Sequence, residues 1–482
     1  MMNRSPSRSD ISTTELSGVD LSQYKEELNR ERNSRTLTLR RMNRPTLKSV
    51  FGNLQQKSRQ PISLSDNKQN VINDAVTTLQ SGDESAIQSF CQDIINTELV
   101  SVSNLAYLAH SPEVAEAMGN AALNPVSENT IVSLLGAISN LFPLSGSNDT
   151  AFIDTGIVFS LPEFIENPNL INASVTFIGC ISETSSYARD AILCNELHVS
   201  LCQIALQSES DELTVNVCEA IRKIFANNAE IDFQILSDSV NPIADLLNLT
   251  NLTALHSIIA TFTEMACKMS TLVLKYDQIG LYSKVIEFIQ NENLTDVTLK
   301  LIGVLSIGQP SHVRAMFEGG LFDLLMKLLD TEFCPDVFWI FSNLIETLGG
   351  AALQFFDPSF ITHVVEISES ASFVVKKEAA FFLSTYALFS DPEVLYSFLN
   401  EAILDILVEM LGCGVSIIMN RIIDIIVRMV HQLQMGSMTD DFVNLITESD
   451  LRKRLEDITE QQSGIVAERA QYLLGLLDSI DN

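Results

Sequence analysis

Apolar residues recur along this chain with a helical period, and the helical pattern is itself repeated. One arrangement returns again and again: a break, then apolar residues at positions 0, +4, +7 and +8. It occurs as Ile157/Leu161/Phe164/Ile165, Leu197/Leu201/Ile204/Ala205, Leu281/Val285/Phe288/Ile289, Leu321/Leu325/Leu328/Leu329 and Ile403/Leu407/Met410/Leu411. Weaker copies begin at Ser239 and Phe360. Successive starts lie 40, 42, 42, 40, 39 and 43 residues apart. Gly156, Gly280 and Gly320 stand just before three of them, where glycine lets one short helix end and the next leave at a sharp angle.

A helical period of about 40–47 residues is that of HEAT and armadillo arrays, in which each unit buries an apolar face only by stacking on its neighbour. The units read as a short helix, a second helix led by glycine and a long third helix, which favours armadillo. The predicted fold is therefore all-α, a right-handed armadillo-repeat solenoid of about ten repeats over residues 71–482. A string of independent compact domains is the alternative. Residues 1–20 are rich in Ser, Thr and Asp and read as disordered, 21–44 as a polar basic helix, and 61–70 as a linker.

Charge sharpens this division. The 482 residues carry a net charge of -31, from 30 Lys+Arg against 61 Asp+Glu. Residues 1–60 hold 12 of the basic residues and 6 acids, whereas from Gln69 to Ala188 there is no Lys or Arg at all. A mobile basic arm thus precedes an acidic body, and the two can attract each other. Phosphates repel such a body, so direct nucleic-acid binding is not expected of it, and basic partners are. The eight cysteines show no CxxC pair and no Cys/His cluster, and no apolar run is long enough to span a membrane. The start lacks the apolar core of a signal peptide, so a reducing compartment, cytosol or nucleus, is expected. No glycine loop of phosphate-binding spacing and no local triad signature occurs, so neither an enzyme nor a cofactor is expected.

The candidate chemistry lies on the third helices. In PDVFWIFSNLIE, Trp339 and Asn343 are four apart and share a helix face. An indole makes a slot for the alkyl stem of Lys or Arg and adds cation–π attraction, and an Asn amide can hold a peptide backbone. Phe381 and Thr385 repeat this spacing 42 residues on, with Glu378 one turn before Phe381. The bland alternative is a core Trp beside an unrelated Asn.

In combination these segments resemble the importin alpha family of nuclear import adaptors. PDVFWIFSNL resembles that family's EACWTISNI, VVKKEAAFFLST its IKKEAAWAISN, and TFIGCISETSSYARDAIL its WALGNVAGDSPEYRDLVL. The register of the resemblance runs from about residue 71 to 477. It implies a minor cargo-signal site at Gly308, Trp339, Asn343, Glu378, Phe381 and Thr385, with Phe381 still offering a π-face. It also implies a major site, here degenerate: the three Trp/Asn pairs are replaced by Gly136/Asn140, Thr176/Cys180 and Glu219/Lys223, with Glu183 next to the place of a cargo-binding Asp. Lys223 should repel a basic peptide and Glu219 partly offset it. The arm would bind importin beta, and fold back as a cargo mimic, through Arg30, Arg32, Arg35, Arg40, Arg41 and Arg44. The implied partners are importin beta, cargo proteins with Lys/Arg-rich signals and a recycling exportin, with shuttling between cytoplasm and nucleus. The competing readings are a non-transport armadillo scaffold and, for the arm, a generic basic tail that binds nucleic acid.

Overall fold

A computed structural model describes residues 65–96, 101–391, 394–395, 398, 400–434 and 440–480. The arm and its six arginines lie outside the described residues. Among the described residues there is no strand, and no helix is long and apolar enough to cross a membrane.

Long helices follow one another at the interval the sequence predicts: α1 (Glu84–Ile95), α2 (Glu128–Leu141), α3 (Ile171–Thr184), α4 (Asp211–Ala226), α5 (Leu252–Lys268), α6 (Thr295–Leu305), α7 (Cys334–Leu348), α8 (Phe373–Phe389), α9 (Ser416–Gln434) and α10 (Ile465–Ile480). Each is the third helix of an armadillo-type repeat, and shorter helices connect it to the next. The chain forms two compact units, divided between Leu301 and Ile302. In the first, α1 packs on α2, α2 on α3, α3 on α4 and α4 on α5; in the second, α7 packs on α8, α8 on α9 and α9 on α10. The fold is thus an all-α armadillo-repeat solenoid, with the core of each unit running between successive third helices.

Local chemistry sets the helix boundaries. Ser127 and Ser210 cap α2 and α4, and Asn251 caps α5, each accepting from a backbone N–H of the first turn. The second helices at Ile157 and Leu281 begin directly after Gly156 (φ 92°) and Gly280 (φ 70°). Glu196 (φ 54°) does the same work before Leu197, in a backbone region that glycine occupies at less cost. The weaker copies differ. Ser239 and Phe360 fall inside the helices Phe233–Ala244 and Pro358–Ser370, because Asp232 and Asp357 cap those helices further upstream. The first described helix, Ser65–Gln80, begins within the stretch expected to be linker. Ile72, Ala75 and Leu79, spaced along one face, are buried and hold it.

Candidate peptide-binding surface on the third helices

In the second unit, Trp339 is half-buried on α7. Its ring rests on the Cα of Gly303 in α6, so closely that a side chain at Gly303 would overlap it. One turn on, Asn343 is 1% exposed and its Nδ2 donates to the carbonyl oxygen of the same Gly303 at 2.9 Å, which corrects the expectation of an amide open to a peptide backbone: the neighbouring helix takes it instead. Thr347, a further turn on, donates to the Ser306 carbonyl at 2.7 Å. Glycine is what lets the six-membered ring of the indole approach the neighbouring helix so closely, and Asn343 bonds to the same residue. The Trp339 side chain as a whole is neither fully buried nor fully exposed. Gly308 follows α6 and is half-buried. Ser342 is fully buried and donates back to Phe338 O.

The second aromatic position is different, and the expectation of an available π-face there is corrected. Phe381 and Thr385 are buried at 2% and 0% exposure. Thr385 Oγ1 donates to its own helix at Phe381 O, and the guanidinium carbon of Arg421, from α9, stands 5.3 Å from the Phe381 ring centroid. Arg421 also donates from Nη2 to Glu346 Oε1 at 3.0 Å. The ring is therefore covered by a residue 40 positions later in the same chain. Glu346 is buried in this ion pair. Glu378 is half-buried, with Lys377 Nζ 3.5 Å from its Oε1.

In the first unit, the positions aligned with a major site carry small or paired groups. Gly136 lies against Ile95, and Asn140 Nδ2 bonds back to Gly136 O at 3.3 Å. Thr176 is exposed and bonds within its own helix to Asn172 O. Cys180 Sγ donates to Ser139 O of the preceding third helix at 3.1 Å, and burial pushes its thiol up to about 11. The stem of Lys223 lies over Gly179 and its ammonium reaches Glu183 at 3.8 Å. Glu183 is thus the carboxylate that Lys223 reaches directly, and Glu219 offsets its charge in part, as expected. Glu219 is taken by Arg222, which bonds it twice at 2.7 and 2.5 Å, and by Ser257 at 3.3 Å. Burial pushes the Glu219 carboxyl up, but the bonds and charge of Arg222, with smaller help from the charge of Lys223 and the Ser257 hydroxyl, outweigh this and hold it below the usual carboxylate range.

Two residues that matter here have faint sequence signals. Gly303 is a lone glycine inside an apolar helical pattern, which marks a close approach. Arg421 is a charge set in an isoleucine-rich helix, where an unpaired cation would be costly. Among the described residues, no group of three His, Cys, Asp or Glu side chains is arranged to hold a metal ion. Burial pushes the thiols of Cys91, Cys202, Cys218 and Cys334 up to about 12, which disfavours the thiolate form.

No known family profile matches the chain, and no curated protein sequence does. Solved structures do. An engineered protein from the Northeast Structural Genomics Consortium superposes with a TM-score of 0.65 at 16% identity, covering 85% of this chain and 99% of its own. A designed armadillo repeat protein solved in complex with the peptide (KR)4 matches with a TM-score of 0.40 at 19% identity, covering 49% of this chain and 98% of its own. At 16% identity the likeness to the first of these is one of fold alone.

Proposed function

We propose that this chain is a nuclear import adaptor of the importin alpha kind. In this reading an extended Lys/Arg-rich segment of a cargo protein lies beside Trp339 on the third helices of the second unit. The basic arm binds importin beta and, when free, competes with cargo for the acidic body; a recycling exportin returns the adaptor from nucleus to cytoplasm. The observation that carries the reading is the half-buried indole of Trp339, seated on Gly303 beside the anchored Asn343. A rigid, partly accessible aromatic, in a chain whose residues outside the arm are strongly acidic, suits the alkyl stem and charge of a basic side chain.

The test uses the full chain and a Lys/Arg-rich peptide, followed by the emission of Trp339, the only Trp. Binding should shift or quench that emission. Trp339→Ala, measured by calorimetry, should weaken binding by about 1–3 kcal/mol, the range of a hot-spot aromatic, and Thr176→Ala should leave it unchanged. Equal effects of the two substitutions would sink the assignment. Capture of importin beta by residues 1–60 tests the adaptor half separately.

A second reading is favoured by one observation. The Trp339 position stands alone among the aligned pairs, since Phe381 is covered and the first unit presents Gly136, Thr176 and Glu219. That arrangement also suits a scaffold outside transport, whose partner inserts a single basic residue. Failure of residues 1–60 to bind importin beta, with peptide binding intact, would select it.

A further inference from the structure

Arg421 is a charged side chain at 1% exposure on α9, held by groups from the two preceding third helices. From α7, Glu346 supplies a carboxylate at 3.0 Å from Nη2; from α8, Phe381 supplies an aromatic face 5.3 Å from the guanidinium carbon. Thr385, also on α8, places its Oγ1 3.5 Å from Nη1. Glu346 is itself only 6% exposed in its side chain, so the pair is withdrawn from water on both sides. A carboxylate beside an aromatic face recognises a planar guanidinium, and it would do so whether that group came from this chain or from another. Leucine or methionine would pack an isoleucine-rich helix without the cost of desolvating two charges. The residues around Arg421 thus form a site with the chemistry of an arginine receptor.

We propose that Glu346, Phe381 and Thr385 form an arginine pocket that Arg421 fills in cis, as a resident ligand. Resting on the function proposed above, this has a consequence for specificity. The second aromatic slot expected of the basic-peptide site is occupied, so a partner is read through one slot, at Trp339, and a second arginine gains nothing. Removing the Arg421 side chain opens the second slot to an arginine supplied in trans.

The experiment is chemical rescue of Arg421→Ala in the full chain. Guanidinium chloride at low-millimolar concentration, compared with sodium chloride at equal ionic strength, should raise the thermal midpoint of Arg421→Ala. It should not do so for the wild type, or for Arg421→Met, whose side chain fills the pocket. Adding Glu346→Gln to Arg421→Ala should abolish the rescue. If Arg421→Ala does not fold unaided, refolding yield with guanidinium against sodium gives the same comparison. Equal behaviour in the two salts would overturn the proposal. For specificity, a peptide panel with a second arginine at varied spacing is titrated against Trp339 emission. One spacing should bind Arg421→Ala about tenfold more tightly than the wild type, the size expected of one desolvated cation–π contact with a charged hydrogen bond. Absence of any such gain where peptide binds both proteins overturns the consequence for specificity. Absence of any peptide response in either protein, with guanidinium rescue intact, overturns the function proposed above and leaves the pocket standing.

Discussion

Gly303→Ala isolates the contact on which the candidate surface depends. A Cβ at position 303 would overlap Cζ3 and Cη2 of Trp339 and stand 2.8 Å from Cε3. No small shift relieves an overlap with three atoms of a flat ring, so the indole must rotate off its seat into solvent. A Trp buries some 150–250 Å² in a packed site, so a half-buried one gives up roughly 100 Å². At about 25 cal/mol per Å² that costs roughly 2–3 kcal/mol. Replacing a helix-interior Gly by Ala returns about 1 kcal/mol through propensity. The expected net loss is therefore about 1–2 kcal/mol, less than an overpacked core would suffer, because the ring has somewhere to go. Denaturant unfolding followed at Trp339 measures it. In the native state the emission should move to longer wavelength and become more open to acrylamide, and the affinity for a Lys/Arg-rich peptide should fall about as far as in Trp339→Ala. Unchanged emission and quenching, with stability raised by the full helix-propensity gain, would show that the indole does not rest on Gly303.

Three further outcomes are expected. His198 is buried beside Ser239 and Phe225, and burial holds its imidazole down at about 4 against an ordinary 6.5. Its contribution is full above pH 6.5 and is lost as pH falls toward 4, because the unfolded chain protonates first; about 3 kcal/mol follows at the acid end, and His198→Gln should remove that part of the pH dependence in melts at pH 7, 5 and 4. Arg189→Met should cost about 2–4 kcal/mol in denaturant unfolding, since it deletes the donors to Ala229 O and Glu230 O and leaves those carbonyls without that partner. Deleting residues 1–60 should raise the affinity for basic peptides at low salt, with the gain shrinking as salt screens the arm from the body; an unchanged affinity at low salt would exclude competition by the arm.

The parts of the fold legible in sequence were those governed by local signals. Glycine-led second helices start where the pattern put them, at Ile157 and Leu281, because a positive φ before them is a property of one residue. Where a capping Asp replaces glycine, at Asp232 and Asp357, the apolar pattern alone placed the start several or a few residues late. Val337, Phe338, Phe341, Leu344 and Ile345 recur in PDVFWIFSNLIE at helical spacing, a local signal, and all five are buried while Trp339 between them is half-buried. What could not be read was anything decided by the next repeat. Phe381 and Thr385 keep the spacing of an open pair, yet their exposure is settled by Arg421 on the following third helix. Likewise Lys223 is matched by Glu183 on the preceding third helix, a pairing that depends on the stacking register and leaves no mark within either segment.

That dependence on the next repeat also explains how the body spends its few cations. Arg189, the first after a stretch of 120 residues without Lys or Arg, is buried and donates to Ala229 O and Glu230 O just beyond α4. Lys268 reaches Asn227 O at the end of α4, and Arg428 donates to Ala387 O, Leu388 O and Ser390 O at the end of α8. The C-terminal end of a helix carries carbonyls without intrahelical partners and a partial negative charge, so a cation there satisfies both at once. In an array, a cation from the adjoining repeat at that end also fixes the stacking register, which an apolar contact does less strictly. These cations are thereby turned toward helix ends, and Arg189 in addition pairs with the exposed carboxylate of Asp190 at 2.7 Å, so that one guanidinium joins a surface charge to the end of the neighbouring repeat.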